Sequence, residues 1–191
     1  MGERTTQRSD AQRNRERILE AALEELTAGN AISLSAIAKR VGVGQGTLYR
    51  HFPDKDSLVL AVYHREVQLL VDSASALLAA HPAPIAFREW LSRLAKFAVT
   101  KAGFADAMQQ ASRATGAPLH PGYVPVVGAL TELIEANHVA GTIRADLTVD
   151  DVLLMIAGVW QLSPLADWQA QAARLLDLIM IGMTTGAPHP E

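Results

Sequence analysis

The stretch Val41-Gly-Val-Gly-Gln-Gly-Thr-Leu-Tyr-Arg-His-Phe52 places glycine at 42, 44 and 46 and follows it with polar, aromatic and basic side chains. A glycine cluster of this kind either cradles the phosphates of a nucleotide or shapes the turn between two short helices. A dinucleotide-binding loop follows an apolar strand, opens a long helix and keeps the spacing G-x-G-x-x-G. Here the glycines follow Ile37-Ala-Lys-Arg-Val41, which reads as a basic helix, and they are spaced G-x-G-x-G with no Walker pattern. The turn is the better reading. Two short helices joined by a three- or four-residue turn containing glycine form a helix-turn-helix, whose second helix enters the major groove of DNA.

Residues 33–52 fit that motif. Ser33 is placed to cap a short helix bearing Leu34, Ile37, Ala38 and Val41, and Gly42 ends it. A second short helix is expected from Gln45 to His51. Ile37, Ala38, Val41, Val43 and Leu48 form the apolar seam between the two. Gln45 and Thr47 then face the groove, where a glutamine amide bridges N6 and N7 of adenine. Tyr49, His51 and Lys55 are suited to donate to phosphates, which sets register without reading sequence. Gly44 and Gly46 fall in the first turn, where free backbone N–H groups attract anions and a missing side chain permits close approach. The plainer alternative stays open: Gly44 as an acceptable N-cap, and Gly46 as a tolerated helix defect costing about 0.5–1 kcal/mol relative to alanine.

Working outward, the spacing predicts helices over residues 10–28, with Ser9 and Gln12 as a capping box, and 55–80, with Asp54 as N-cap. Further helices are expected at about 85–101, 103–114, 122–139, 149–161 and 167–185. Breaks such as His81-Pro-Ala-Pro84 separate them, and Thr148 with Asp151 forms another capping box. No alternating run bounded by hairpin turns occurs, so no sheet is expected. The fold class is all-α, with about nine helices. The expected organisation is a flexible basic tail at 1–9, a helix-turn-helix domain at 10–56, a helical regulatory and dimerisation domain at 57–186, and a tail at 187–191.

Composition bounds the function. The chain has 191 residues, 49% hydrophobic and 19% charged, enough to bury a core in one domain or two small ones. It has no cysteine, which excludes disulfides, thiolate metal sites and cysteine nucleophiles and suits a cytoplasmic protein. Its apolar runs, such as residues 152–160, fall short of the roughly 18 residues needed to span a bilayer. Residues 1–65 carry ten Lys or Arg against eight acids, and the remainder seven against twelve, which suits a polyanion-facing N-terminal part. The six histidines show no H-x-x-x-H or H-E-x-x-H spacing, and no G-x-S-x-G motif exists. No metal, cofactor or enzymatic activity is expected.

Residues 37–58, Ile-Ala-Lys-Arg-Val-Gly-Val-Gly-Gln-Gly-Thr-Leu-Tyr-Arg-His-Phe-Pro-Asp-Lys-Asp-Ser-Leu, resemble the DNA-binding domain of TetR-type transcriptional regulators. Arg17-Ile-Leu-Glu-Ala-Ala-Leu-Glu-Glu-Leu26 is similar to that family's first helix. The resemblance implies a protein that binds a palindromic operator as a homodimer and represses transcription. It also implies a C-terminal domain that dimerises and commonly binds a small-molecule inducer. By position, the family's DNA contacts fall on Leu34 and Ser35, on Gln45, Gly46, Thr47, Tyr49 and His51, and on Lys55. Gly44 departs from the serine or threonine often found there, which removes a side-chain phosphate contact. Arg50 occupies a variable position with reach to a phosphate or a base.

The rest of the chain is read for sensing and dimerisation. Trp90, Leu94 and Phe97, then Phe104 and Met108, then Tyr123, Val127 and Leu130 lie at helical spacing with few charges among them. They suit an apolar, weakly charged ligand, or else ordinary core. Residues 152–160 are apolar nearly all round, as are 175–183 apart from Asp177 and Gly182. A helix of that kind is buried all round, either at the centre of a monomeric bundle or, as paired half-sites for a helix-turn-helix favour, at a two-fold interface through Leu153, Ile156, Ala157 and Trp160 on one helix and Leu175, Leu176, Ile179 and Met183 on another. The segments around Ala86–Leu91, Ala107-Met108 and Gly158–Trp160 resemble a TetR-type subgroup whose ligands are mostly unknown. The expected function is a homodimeric repressor released from DNA by a small, largely apolar ligand. The alternative is a regulator of the same fold controlled by a protein partner or by concentration.

Overall fold

The computed structural model describes residues 3–102, 105–116, 123–157 and 167–184, with side chains at all of these except 3–9, 102 and 123. Among the described residues there are nine α-helices and no strand. They are α1 (Glu3–Thr27), α2 (Leu34–Val41), α3 (Gln45–His51), α4 (Lys55–Ala80), α5 (Ala83–Ala102), α6 (Ala105–Thr115), α7 (Tyr123–Val139), α8 (Val149–Ile156) and α9 (Trp168–Thr184). The chain divides into two compact units, Met1–Arg65 with Gly103–Pro121, and Glu66–Ala102 with Gly122–Glu191.

Two helices start earlier than their sequence signals. Helix α1 begins at Glu3, not at the Ser9 cap, so residues 3–9 are helical where a flexible tail was expected. No proline or glycine interrupts them, and a serine inside a helix costs only a few tenths of a kcal/mol or so. Helix α5 begins at Ala83 and takes Pro84 into its first turn, with the Ile85 and Ala86 N–H groups bonded to the Pro82 carbonyl. Proline is tolerated there because its missing N–H would have no helical partner. The last turn expected for α8 and the 187–191 tail lie outside the described residues.

In the first unit α1 packs on α2 and α3, and α2 packs on α3. Ile18, Leu19, Ala22 and Leu26 of α1 are buried, as are Ile37, Ala38, Val41, Leu48 and Phe52. Their spacing leaves the outer faces of these helices to polar residues. Much of the positive charge of this unit is used internally. Arg17 donates to the Val41 carbonyl at 2.6 Å, so a cation sits on the C-terminal end of α2. Arg15 lies 5.2 Å over the Phe52 ring, Arg65 pairs with Glu16 at 2.9 Å, and Arg40 bridges Glu24 and Glu25.

In the second unit α5 packs on α7 and α9, and α8 on α7 and α9. Phe87, Trp90, Leu130, Leu133 and Val152 are fully buried in one cluster. The Trp90 indole N–H donates to the Leu70 carbonyl at 3.0 Å. Asn137, also fully buried, donates to the Ala83 and Leu133 carbonyls and accepts from the Thr142 hydroxyl. A buried amide of this kind is stabilising only while its bonds are all made. Asp177, the one acid in its apolar run, receives Nε and Nη2 of Arg88 at 2.9 and 2.8 Å, which ties α5 to α9.

Candidate nucleic-acid interface

The first unit gathers every residue expected to touch DNA onto two short helices and the start of a third. Ser33 caps α2 by accepting from the Ala36 N–H at 3.4 Å. At the other end Gly42 takes φ 69° and ψ 31°, the left-handed conformation, with its N–H on the Lys39 carbonyl and that of Val43 on the Ala38 carbonyl at 3.0 Å. This pair of bonds is the Schellman stop, and only glycine adopts the backbone it needs without strain. The chain then extends through Gly44, at φ −64° and ψ 140°, and enters α3 without a side-chain cap.

Leu48 is fully buried and Phe52 nearly so, which fixes how α3 is rotated. Gln45, Gly46, Tyr49 and Arg50 are therefore exposed, Tyr49 to 47%, while Thr47 and His51 are half-buried on the flanks. On α2, Ser35 is exposed and Leu34 half-buried. Lys55 is the exposed first residue of α4, whose N-terminus is capped by Asp54 accepting from the Ser57 N–H at 2.7 Å. That bond, helped by the Ser57 hydroxyl, holds the Asp54 carboxyl below its ordinary range. A carbon added at Gly44 would meet nothing nearer than Thr47 Oγ1 at 3.9 Å, and one added at Gly46 nothing within 4 Å. Neither glycine is required by the packing of the chain itself.

One exposed cation was not singled out from sequence. Lys39 follows Ser35 by one turn of α2, and its ammonium makes no hydrogen bond or ion pair among the described residues. Its i+4 spacing from Ser35 is the signal that finds it. Among the described residues no group of three or more His, Asp or Glu is gathered to hold a metal ion, and no helix is long and apolar enough to cross a membrane.

In the second unit Trp90, Leu94 and Leu130 lie inside the core cluster, with Phe97 packed against it and Val127 half-buried. Met108 is buried in the first unit, and Phe104 and the Tyr123 side chain lie outside the described residues. Of the residues expected at a two-fold interface, Ile156, Leu176 and Met183 belong to the core of their own unit. Leu153, Ala157, Leu175 and Ile179 are half-buried, and Trp160 lies outside the described residues. The outward apolar residues of α8 and α9 are instead Leu154 (75% exposed), Met155, Leu178 (66%) and Ile181 (60%).

Residues 18–62 match the family model of bacterial regulatory proteins of the tetR family, and residues 82–185 match that of the C-terminal domain of SbtR-like transcriptional regulators. A TetR transcriptional regulator from Streptomyces coelicolor is 39% identical, with a TM-score of 0.81 over 91% of this chain and 99% of that one. The chain belongs to the TetR family. A TetR regulatory protein from Mycobacterium vanbaalenii is 32% identical with a TM-score of 0.75, covering 93% of this chain and 99% of that one. A helix-turn-helix transcriptional regulator of Staphylococcus aureus is 44% identical over 66 residues, which are 34% of this chain and 36% of that protein. The chain thus spans about a third of the length of that curated relative. The protein is a TetR-family transcriptional regulator whose DNA-binding domain includes α2 and α3.

Proposed function

We propose that this TetR-family protein is a homodimeric repressor that reads a palindromic operator through α3 and leaves it when a small, weakly charged ligand binds the C-terminal helices. The observation that carries the DNA-reading part is the rotation of α3. With Leu48 buried, its outer face offers an amide, a phenol and a guanidinium beside two glycines. Gln45 and Thr47 read base edges, while Leu34, Ser35, Gly44, Gly46, Tyr49, His51 and Lys55 set the helix on the phosphate backbone. Residues 10–56 form the reading domain and 57–186 the regulatory one.

The dimer part is supported by the exposed apolar residues of α8 and α9. Leu154, Met155, Leu178 and Ile181 form the proposed two-fold surface, flanked by Leu153, Ala157, Leu175 and Ile179. The buried Ile156, Leu176 and Met183 support it from within. A ligand is proposed to enter the layer of α5 and α7, where Phe97 and Val127 are half-buried beside Leu94 and Leu130. It acts by preferring one arrangement of the dimer over another.

Footprinting on DNA upstream of the protein's own gene tests this reading. The expected result is a palindrome with half-sites about one helical turn apart, protected by a dimer. Binding that is salt-sensitive but indifferent to sequence would sink it.

A further inference from the structure

Gly46 and Arg50 stand out on α3 for a geometric reason. Each lies two residues from Leu48, one on either side, so each points about 160° away from it around the helix. Leu48 is fully buried, and these two positions therefore form the outermost ridge of the helix. One carries no side chain. The other folds back onto it, for Arg50 Nε donates to the Gly46 carbonyl at 3.2 Å.

That hydrogen bond occupies the one nitrogen of the guanidinium that lies within the chain and leaves the two terminal nitrogens. These are a planar pair of donors at the geometry that matches N7 and O6 of guanine. A lysine or glutamine in this position would offer no such fork. Because the arginine is already held along the helix, less rotamer entropy is lost when it docks. The missing side chain at 46 keeps the ridge low beside the fork.

We infer that Arg50 is a specificity-determining residue that reads one guanine in each half-site, positioned by its bond to the Gly46 carbonyl. This rests on α3 being the recognition helix. It assigns to the variable position of the motif a base contact, where its exposure alone would equally suit a phosphate.

Selection of the full-length protein on a pool of random-sequence duplex DNA tests the inference. The wild type should enrich a motif with a fixed guanine, and Arg50→Ala should enrich the same motif with that position degenerate. Affinity of Arg50→Ala for the wild-type consensus should fall roughly 5- to 150-fold, and that for the duplex changed only at the guanine should hardly move. Arg50→Lys should not restore the preference. Equal weakening on all sequences, with the salt slope reduced by about one, would mark a phosphate contact and overturn the inference. A wild-type motif that Arg50→Ala leaves unchanged overturns it alone, whereas a wild type that enriches no motif overturns the recognition-helix reading beneath it. Gly46→Ala tests the low ridge: its methyl group meets nothing in the chain and alanine favours the helix over glycine, so stability should hold or rise slightly while consensus affinity falls. Unchanged affinity would show that DNA does not approach there.

Discussion

Helices α2 and α3, and helices α8 and α9, fold by the same device and end with opposite surfaces. In the first pair Ile37, Ala38, Val41 and Leu48 are buried, and the outward positions are Ser35, Lys39, Gln45, Tyr49 and Arg50. In the second pair Val152, Ile156, Ala172, Leu176 and Met183 are buried, and the outward positions include Leu154, Met155, Leu178 and Ile181. The inward stripe builds the fold in both cases. On the function proposed above, the outward residues then select the partner, because burial of polar donors is favourable only against acceptors, whereas burial of leucine is favourable against any apolar face.

The largest expected effects come from the inward stripes, where the two regions should behave alike. Leu176→Ala removes a side chain buried in the core beneath α9, and should cost about 2–5 kcal/mol by denaturant unfolding. Leu48→Ala should cost about 2–5 kcal/mol on the same ground. A loss below about 1 kcal/mol in either would mean that the surrounding core closes over the gap, contrary to the packing described.

The outward stripes should separate the regions. Leu178→Lys or Ile181→Lys places a charge at an exposed site, so helicity and unfolding midpoint should change little. The proposed dimer should nevertheless dissociate, shown by sedimentation at micromolar concentration, because a desolvated ammonium would have no partner in the proposed apolar interface. A dimer that persists in both variants moves the interface away from α8 and α9.

What the sequence disclosed follows the same division. Helix ends were legible because they are written in local chemistry: the Ser33 cap, the Gly42 stop, the Asp54 cap and the Thr148–Asp151 box all form where expected. The burial of Leu48 was legible from its place in the seam. The outward side of α8 and α9 was not, since a run apolar on every face carries no periodicity to say which residues the chain keeps for itself. Nor was the internal use of Arg15, Arg17, Arg40 and Arg65 legible, because their partners lie far along the chain. The excess of basic residues in 1–65 therefore overstates the charge left for DNA.

That point gives a smaller and sharper test on neighbouring residues. Lys39 is free, while Arg40 Nη1 lies 2.8 Å from Glu25 and its other terminal nitrogen pairs with Glu24. Lys39→Gln should weaken binding to all sequences alike and lower the salt slope by about one. Arg40→Gln should leave the slope unchanged and cost at most about 1 kcal/mol of stability, the usual worth of an exposed ion pair. Equal slopes for the two variants would mean that neighbouring charges on α2 act only through the field of the whole unit.

The smallest expected effect lies where the two regions do not differ at all. Asp54 caps α4 beside the proposed reading helix, and Asp151 completes the capping box that Thr148 opens on α8, beside the proposed interface. The Asp54 carboxyl is lowered by the Ser57 N–H first and the Ser57 hydroxyl second. That of Asp151 is lowered by the Thr148 hydroxyl, which donates at 2.6 Å, and then by the Thr148 N–H at 2.9 Å. A carboxyl held lower in the folded chain than in the unfolded one stabilises the fold above the ordinary aspartate value of 3.8. The contribution disappears as pH falls through the folded value, so the stabilisation from each carboxylate is lost below pH 3.8 and stays constant on the alkaline side. The asparagine carbonyl oxygen accepts the same N–H, that of Ser57 at position 54 and that of Thr148 at position 151, but does not titrate. Asp54→Asn and Asp151→Asn should therefore each flatten the acid limb of the stability profile, leaving the neutral plateau close to that of the wild type. Acid limbs that match the wild type in both variants would mean that neither cap is formed in solution.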